Sequence, residues 1–207
     1  WVLPAGVKID EIIFINDGST DNTLGVLKST RLKFTKKVIS YDKNMGKGYA
    51  VKSGMLRSKS AYTLLTDADM ATKPDQLERF IPYFKQKIDV VIGTRKNGHS
   101  TVIKHQPWIR ENMGKVFTKL SRIVLGVDVT DFTCGFKAFS KSAKDSIFPM
   151  AQINRWGYDS EIIFLACKFG YSIREKAVVW SDQKNTKVSL IKDAIDSFLE
   201  LIKIKIN

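Results

Sequence analysis

The sequence predicts an α/β fold in which a mostly parallel β-sheet is flanked by helices. Short, near-continuous apolar runs alternate with stretches of helical periodicity along the first half of the chain, and this order is typical of parallel sheets. Polar clusters follow two of these runs, at 16–19 and 67–69. Ligands bind at the carboxyl ends of the strands in such sheets, so we expect a functional site at that edge.

The predicted strands and helices of the first half alternate regularly. Each apolar run has the length of a strand and is nearly continuous, as buried parallel strands are. The predicted strands cover residues 11–15, 37–41, 62–66 and 89–93, and the predicted helices cover about 22–30, 48–58 and 76–86. The predicted order is therefore β-α-β-α-β-α-β.

The second half of the chain is predicted to be mainly helical. Apolar residues recur at helical spacing from Trp108 to Leu125, and we interpret this stripe as a core-facing surface. The remaining predicted elements are a glycine-containing loop at 131–137, a helix at about 158–169, a short strand at 177–180 and a terminal helix from about 188.

Length and pattern favour one domain over residues 1–187, followed by an amphipathic segment at 188–207. The apolar positions of this segment share one helical face, and lysines lie nearby. They are Val188, Ile191, Ile195, Phe198, Leu199 and Ile202, with Lys192, Lys203 and Lys205. The pattern suits a helix at a membrane interface, and equally a helix packed on its own domain. No stretch reaches the ~18 uninterrupted apolar residues of a transmembrane helix.

Composition indicates anionic partners and a reducing compartment. The chain has 34 Lys and Arg against 21 Asp and Glu, a formal net charge of +13, which attracts nucleic acid, acidic lipid head groups or phosphorylated small molecules. A basic nucleic-acid-binding module rests on this charge alone, because no such motif is recognisable. Cys134 and Cys167 lie in a chain too large to need a disulfide, which favours a cytoplasmic protein.

Asp67 and Asp69 give the sharpest local signal. They are one residue apart and follow directly after an apolar strand. Two carboxylates in this position can hold Mg²⁺ or Mn²⁺ against a diphosphate, and the ion neutralises the charge that grows on a leaving nucleoside diphosphate. Isolated D-x-D sequences are common in surface loops, so the position after a strand carries the prediction.

Two other segments at predicted strand ends suit a nucleotide. Asp17 follows the first strand, where its carboxylate can accept hydrogen bonds from a base or ribose; the alternative is an ordinary strand-turn-helix with a helix cap nearby. Gly46 and Gly48 bracket Lys47 at the start of the next helix. Close backbone approach and a cation at a helix N-terminus suit a diphosphate, although such a sequence is more often a turn.

Six motifs, taken in order along the chain, resemble those of family-2 glycosyltransferases of the GT-A (Rossmann-like) fold. The branch they look closest to is the dolichyl-phosphate glucosyltransferase and dolichyl-phosphate mannosyltransferase group. The motifs are Ile-Asn-Asp-Gly-Ser-Thr-Asp (15–21), Asn-Met-Gly-Lys-Gly-Tyr-Ala (44–50), Asp-Ala-Asp-Met-Ala-Thr-Lys (67–73), Gly-Thr-Arg (93–95), Asp-Phe-Thr-Cys-Gly-Phe-Lys (131–137) and Arg-Trp-Gly-Tyr-Asp-Ser-Glu (155–161).

The resemblance implies a role for each matching residue. The nucleotide side would comprise Asp17, Gly18, Ser19, Gly46, Lys47 and Asp67, and the metal ligands would be Asp67 and Asp69. Arg95 would meet the acceptor phosphate, with Arg110 as a second arginine. Asp131 and a cluster of Tyr158, Asp159 and Glu161 would line the acceptor side.

Some positions depart from the family pattern. Asn16 stands where the family usually has a first aspartate, and Ala71 stands where mannosyltransferases tend to have a glutamine. Ala71 and Thr72 resemble the glucosyl branch, which favours UDP-glucose over GDP-mannose as the donor. Before the strand with Asp17 the family has a further β-α unit, and we expect the chain to lack part of it, since only residues 1–6 precede this region.

The expected reaction is a metal-dependent, inverting transfer of a hexose to a polyprenyl or dolichyl phosphate, at the cytoplasmic face of a membrane. A phosphate monoester is already anionic near neutral pH, so the site needs positioning more than a base. In this hypothesis Arg95 and Arg110 hold the acceptor while Asp67 and Asp69 carry the metal. A GT-A enzyme with a saccharide or protein acceptor remains an alternative; the residues leave the oligomeric state open.

Overall fold

The computed structural model describes residues 7–96, 99–105, 107–182 and 190–206. The strands are β1 (Glu11–Asp17), β2 (Thr35–Tyr41), β3 (Tyr62–Thr66), β4 (Val90–Thr94), β5 (Thr101–Lys104), β6 (Phe136–Ser140), β7 (Ile173–Ala177) and β8 (Val179–Ser181). The α-helices are α1 (Thr23–Ser29), α2 (Lys47–Arg57), α3 (Ile81–Lys85), α4 (Trp108–Leu125), α5 (Lys141–Met150), α6 (Tyr158–Lys168) and α7 (Leu190–Ile206), and a 3₁₀ helix spans Pro74–Phe80.

The central sheet has the order β3-β6-β4-β7. Strand β6 is antiparallel to both of its neighbours, whereas β4 and β7 are parallel, so three of these four strands run in one direction. Strands β1 and β2 form a separate parallel pair, as do β5 and β8. The predicted α/β architecture with a mostly parallel sheet is confirmed.

Strand β6 is the main element that the sequence prediction missed. The predicted loop at 131–137 ends in this strand, which separates β3 from β4. Both faces of β6 are buried, from Phe136 to Phe139, and Lys137 in its middle breaks the apolar run by which buried strands are recognised. The strand therefore has no local signature.

Several other boundaries differ from the prediction. The helix predicted at 76–86 is a 3₁₀ helix followed by the short α3, because Pro82 lies at the start of α3 and suits only the first turn of a helix. The strand predicted at 177–180 is divided between β7 and β8. Strand β5 and helix α5 were not predicted; α5 follows β6 directly, and the Ser140 hydroxyl caps it by accepting the Ala143 N–H at 3.2 Å.

The core lies on both faces of the central sheet. Side chains alternate along a strand, so Val90 and Ile92 of β4 pack with α5 and α6 on one face, while Val91 packs with Phe80 on the other. Among the described residues, no helix is long and apolar enough to cross a membrane. Packing on both faces holds the strands in place, and polar residues can occupy the ends of the strands.

Within the described part of the chain, helices α4 and α7 leave an apolar surface exposed. The interpretation of the α4 stripe as wholly core-facing is wrong, since Trp108 is 79% and Val116 58% exposed. Helix α7 packs on the domain through Leu201 and Ile204, and its Leu199 is 57% exposed. We define the α4–α7 face as the groove-lining apolar side chains Trp108, Ile109, Met113, Val116, Phe117, Leu120, Phe198 and Leu199. The terminal-helix positions 188–195 lie outside the described side chains.

Candidate active site

Predicted site residues lie where three strands end. Asp17 is the last residue of β1, Asp67 directly follows β3, and Arg95 directly follows β4. Lys47, the first residue of α2, interacts electrostatically with Asp67 and with Asp159 of α6. Asp159 in turn interacts with Arg95. The ends of β3 and β4 and the starts of α2 and α6 therefore share one charged cluster.

The ion pair between Lys47 and Asp67 lies at the centre of this cluster. Lys47 Nζ is 2.9 Å from Asp67 Oδ1, and both side chains are about 30% exposed, at 31% and 30%. The ammonium also lies 5.8 Å from the centre of the Trp156 ring and 5.9 Å from that of Tyr158. Burial would lower the pKa of Lys47, but Asp67 and Asp159 outweigh it and raise the pKa. Lys47 is therefore a firmly cationic group.

Asp67 and Asp69 lie in a tight turn after β3. The Met70 N–H donates to the Asp67 carbonyl at 3.2 Å, and Met70 has a φ of 56°. Asp69 is exposed, and its Oδ1 accepts the Ala71 N–H at 2.9 Å. Lys47 pairs directly with Asp67, and the charge of Asp69 acts on Lys47 more weakly.

The two carboxylates fit a metal ion that is shared with a diphosphate. Within the described residues, no group of three or more His, Cys, Asp or Glu side chains could hold a metal by itself. Mg²⁺ beside phosphates is commonly held by one or two carboxylates, while phosphate oxygens and waters complete its octahedron. Asp67 and Asp69 supply that number of ligands, with oxygen atoms that hard cations prefer.

Gly135, just before β6, allows the backbone to pack against the Asp67 carboxylate. A Cβ atom at Gly135 would lie 1.9 Å from Asp67 Oδ2, so the Asp67 carboxylate or the backbone would have to shift to make room for it. The backbone before β6 therefore packs directly against the Asp67 carboxylate. Asp67 is confined on the side of Gly135 and meets Lys47 on the other.

A buried ion pair joins β6 to α6. The Lys137 side chain is fully buried, and its ammonium donates to Asp159 Oδ1 and, at 2.6 Å, to the carbonyl of Cys134. Burial raises the pKa of Asp159 more than Lys137 and Lys47 lower it. Burial and nearby carboxylates likewise raise the pKa of Tyr158 well above its ordinary value. The pair fixes the first turn of α6 beside the cluster.

Arg95 is held by Asp131 in a bidentate pair. Arg95 Nε and Nη2 each donate to one oxygen of the fully buried Asp131 at 2.8 Å, and Nη2 also donates to Thr133 Oγ1 at 2.8 Å. The guanidinium lies 5.3 Å from the Trp180 ring centre. Burial alone would raise the pKa of Asp131, but Arg95 and Lys96 hold it well below its usual range. Arg95 is thus rigidly oriented.

Lys96 is a second cation beside Asp131. Its Nζ lies 3.8 Å from Asp131 Oδ1 and donates to Thr118 Oγ1 at 2.7 Å and to the Gly114 carbonyl at 3.2 Å. Burial lowers the pKa of Lys96, although Asp131 opposes this shift. Because Thr118 and Gly114 belong to α4, Lys96 connects the arginine site to the helix that carries the uncovered apolar surface.

Asp17 organises the loop that carries Lys47. Its Oδ1 accepts the Met45 N–H at 2.7 Å and its Oδ2 accepts the Gly46 N–H at 2.9 Å. Gly18 has a φ of 69°, and a Cβ atom there would lie 2.4 Å from the Asn44 nitrogen. Both carboxylate oxygens that were predicted to contact a nucleoside therefore bind backbone N–H groups of this chain.

Gly46 and Ser19 also make local contacts. Gly46 has a φ of 102°, and a Cβ atom there would lie 2.3 Å from the Asn154 carbonyl oxygen, so glycine is required by backbone packing. Ser19 is exposed, and its N–H donates to Asn16 Oδ1 at 3.3 Å. These residues shape the loops around the start of α2.

Two other predicted residues are not brought to the cluster by the described contacts. Glu161 accepts the N–H groups of Gln152 and Ile153 at 2.8 and 2.9 Å, so it anchors the loop before α6. Arg110 belongs to the first turn of α4, but its side chain lies outside the described residues.

The structure adds three charged residues that sequence reasoning did not assign. Lys96 and Lys137 pair with predicted site residues, and Glu175 accepts the N–H groups of Thr130 and Asp131 at 2.9 and 3.1 Å. Lys137 belongs to one of the quoted motifs and Lys96 follows another, which is the only signal in the sequence. Glu175 had none, because its partners lie more than forty positions away.

Comparison with known proteins gives consistent relatives. A dolichyl-phosphate beta-glucosyltransferase of Trichomonas vaginalis is 33% identical over 195 residues, covering 90% of this chain and 58% of that protein. One from Saccharomyces cerevisiae is 32% identical over 214 residues, covering 94% of this chain and 64% of that protein. The chain spans less than two thirds of each relative.

Solved structures show the same fold. Glucosyl-3-phosphoglycerate synthase from Mycobacterium tuberculosis, in complex with Mn²⁺ and UDP-glucose, aligns with a TM-score of 0.67 at 16% identity, covering 94% of this chain and 69% of that chain. Mannosyl-3-phosphoglycerate synthase from Rubrobacter xylanophilus aligns with a TM-score of 0.66 at 17% identity, covering 95% and 62%. These likenesses confirm the predicted GT-A fold.

A family model assigns the chain directly. The model described as Glycosyl transferase family 2 matches residues 5–148, more than half of the chain. The matched range includes the strand ends that carry Asp17, Asp67 and Arg95, and the motif from Asp131 to Lys137. The chain therefore belongs to glycosyl transferase family 2, as the order of its motifs predicted.

Proposed function

We propose that this protein transfers glucose from UDP-glucose to a polyprenyl phosphate of the dolichyl type, with inversion at the anomeric carbon. One observation carries the proposal: Lys47 pairs with Asp67 after β3, beside Tyr158 of α6, and Arg95 pairs with Asp131 after β4. The relatives named dolichyl-phosphate beta-glucosyltransferases support glucose as the transferred sugar and dolichyl phosphate as the acceptor.

On the donor side, Asp67 and Asp69 would hold a divalent ion, Mg²⁺ or Mn²⁺, which supplies positive charge to the departing diphosphate. Lys47 lies beside Asp67 at the N-terminus of α2, and we assign it to the diphosphate oxygens. The mycobacterial neighbour was solved with Mn²⁺ and UDP-glucose, which supports a divalent ion together with a UDP-sugar donor. Lys47 and the carboxylates thereby orient the sugar for attack.

On the acceptor side, we assign Arg95 to the phosphate. Asp131 and Thr133 engage Nε and Nη2 of Arg95, and Nη1 is the donor that we assign to the acceptor. A phosphate monoester has its second pKa at about 6, so its oxygen attacks without prior deprotonation by the protein. The bidentate pair with Asp131 restricts the guanidinium to one orientation, which favours an in-line displacement.

We assign the α4–α7 face to a bilayer surface, where a polyprenyl phosphate is presented. Exposed lysines such as Lys119 and Lys203 belong to the same two helices, a combination typical of interfacial helices. Lys96 connects α4 to Asp131 and hence to Arg95. The free thiols of Cys134 and Cys167 support a reducing compartment, so we propose the cytoplasmic face.

Binding and transfer can be tested together. Thermal unfolding should shift upward with UDP-glucose and Mn²⁺, and less with GDP-mannose, because ligands that bind only the folded state stabilise it. Labelled glucose should pass from UDP-glucose to dolichyl phosphate. The replacement Asp69→Asn should abolish the Mn²⁺-dependent shift and the transfer, whereas Asp42→Asn, at another exposed position, should change neither.

Other outcomes would support the rival functions. Transfer to a saccharide or protein without any lipid phosphate would replace the acceptor in this proposal. A salt-dependent gel shift with random DNA, together with no response to any nucleotide-sugar, would indicate a basic nucleic-acid-binding module. Full transfer by Asp69→Asn would refute the assignment of the metal ligands.

A further inference from the structure

Lys47 and Asp67 bind each other in this structure, although the proposed reaction assigns them to different partners. Asp67 would hold the divalent ion and Lys47 would hold the diphosphate. The Lys47 ammonium lies 2.9 Å from Asp67 Oδ1, so it uses an oxygen that a metal ion would need. The Lys47 ammonium must therefore leave this oxygen before a metal ion can bind it.

We propose that Lys47 is a positioning residue that acts as an exchangeable counter-ion. It neutralises Asp67 until a nucleoside diphosphate draws the ammonium away, and only then does Asp67 bind a divalent ion with full affinity. The inference deepens the proposed function and rests on it. It predicts that nucleotide and metal bind with positive coupling, because each removes the obstacle to the other.

The packing makes the Lys47 side chain the mobile member of the pair. Asp67 is confined by the backbone of Gly135, where a Cβ atom would lie 1.9 Å from Oδ2. The backbone around Lys47 is also fixed, since Cβ atoms at Gly46 and Gly48 would lie 2.3 and 2.2 Å from the carbonyl oxygens of the 153–154 loop. The flexible four-carbon chain of Lys47 is what can reorient.

The charge distribution supplies the driving force. Lys47 interacts with three carboxylates, those of Asp67, Asp159 and Asp69. When Lys47 departs toward a diphosphate, Asp67 loses its ion-pair partner, whereas Asp159 keeps Lys137. The negative charge left on Asp67 and Asp69 attracts a divalent ion. The coupling is reciprocal: an ion that repels the ammonium from Asp67 also strengthens diphosphate binding by the same factor.

The test measures Mn²⁺ binding with and without UDP, by the electron paramagnetic resonance signal of free Mn²⁺. In the wild-type chain, UDP should tighten Mn²⁺ binding by about tenfold, within the roughly 5- to 150-fold range of coupled ligands. Lys47→Gln should bind Mn²⁺ alone about tenfold more tightly than the wild type. UDP should then tighten Mn²⁺ binding by a smaller factor than in the wild type, because phosphate oxygens still bind the ion but no ammonium has to leave Asp67. Lys47→Arg keeps a cation and should retain most of the coupling.

Controls separate this inference from its alternatives. Lys43→Gln removes an exposed lysine of the same loop and should behave as the wild type. If Lys47→Gln fails to fold, as judged by thermal unfolding, Lys47→Met repeats the measurement with an apolar chain of similar length. Equal Mn²⁺ affinity for Lys47→Gln and the wild type in the absence of UDP would overturn the inference. The proposed transfer of glucose by the wild-type protein would still stand. A wild-type chain that binds neither UDP nor Mn²⁺ would overturn both proposals.

Discussion

At the scale of single residues, Asp131 determines the orientation of the proposed acceptor site. Both of its oxygens bind Arg95, and its side chain is fully buried. A buried charge that loses its partner is costly, because the remaining ion has neither water nor a counter-charge. This pair therefore contributes to folding as well as to the orientation of the guanidinium.

Replacing Asp131 with asparagine should destabilise the protein by about 3–5 kcal/mol, since the buried Arg95 guanidinium loses its counter-charge. Urea unfolding at pH 7 measures the loss. Asp128→Asn is the matched control, because Asp128 pairs with Arg122 at the surface, where such pairs contribute about 0–1 kcal/mol. Equal losses of unfolding free energy in the two variants would show that the Asp131–Arg95 pair stabilises the protein no more than a surface ion pair does.

The same pair should give a defined pH dependence. The pKa of Asp131 is depressed in the folded protein, whereas an unfolded aspartate has a pKa of about 3.9. Its stabilising contribution is therefore fully present above about pH 4 and is lost as the pH falls further, toward the folded pKa. The gap in unfolding free energy between wild type and Asp131→Asn should stay constant from pH 7 to 5 and shrink in more acidic buffer.

Residue types were easier to predict than residue partners. Strand-end position and motif order selected the predicted residues. In the structure four of them lie at or directly after the end of a strand or helix, and the fifth lies in the turn after β3: Asp17, Lys47, Asp67 and Arg95, and Asp69. What could not be predicted is that Asp17 binds the backbone of Met45 and Gly46. Local sequence cannot specify a partner twenty-eight positions away.

At the scale of elements, the insertion of β6 between β3 and β4 builds the site. It brings Gly135 against Asp67 and places Lys137 beneath Asp159. From sequence alone, a lysine in the middle of a strand is expected at the surface, because burying an unpaired charge is costly. The ion pair with Asp159 lowers this cost for Lys137. The sequence therefore could not identify the strand that matters most for the geometry.

Gly135→Ala should disrupt the site, because its Cβ atom would overlap the Asp67 carboxylate. We expect UDP and Mn²⁺ binding to weaken by at least about tenfold, and stability to fall by about 1–3 kcal/mol from overpacking. Titration calorimetry and urea unfolding measure the two effects.

Gly114→Ala is the control for this prediction. A Cβ atom at Gly114 meets nothing within 4 Å, and alanine within α4 should raise stability by about 0.5–1 kcal/mol. Unchanged ligand binding in Gly135→Ala would mean that Asp67 is free to move without loss, contrary to the packing described above.

At the scale of the whole molecule, the net charge and the exposed apolar surface of α4 and α7 both favour the proposed binding to an anionic membrane. The net charge of +13 attracts anionic surfaces, and the α4–α7 face offers apolar side chains that we propose insert among lipids. Basic residues near an anionic leaflet contribute roughly 1 kcal/mol each. Helix α4 also contacts the Lys96 ammonium, so the position of α4 on a surface and the orientation of the arginine site are connected.

The wild-type chain should sediment with vesicles that contain anionic lipids, and salt should weaken this binding. The double change Trp108→Glu with Leu199→Glu introduces charge into the α4–α7 face and should strongly reduce the bound fraction. Val26→Glu, at an exposed apolar position on α1, serves as the control and should bind normally. Equal sedimentation of all three proteins would contradict a bilayer role for the α4–α7 face.

The sequence by itself determined the fold class, the family and the residue types at the strand ends. Hydrophobic periodicity and motifs are recognised in the sequence itself, so they can be identified without knowing which distant segments are in contact. The tertiary structure alone decided the strand order, the pairing of Lys47 with Asp67, and the uncovered side of α4. These depend on contacts between distant segments, and a side chain's charge or apolarity does not reveal which segment will meet it.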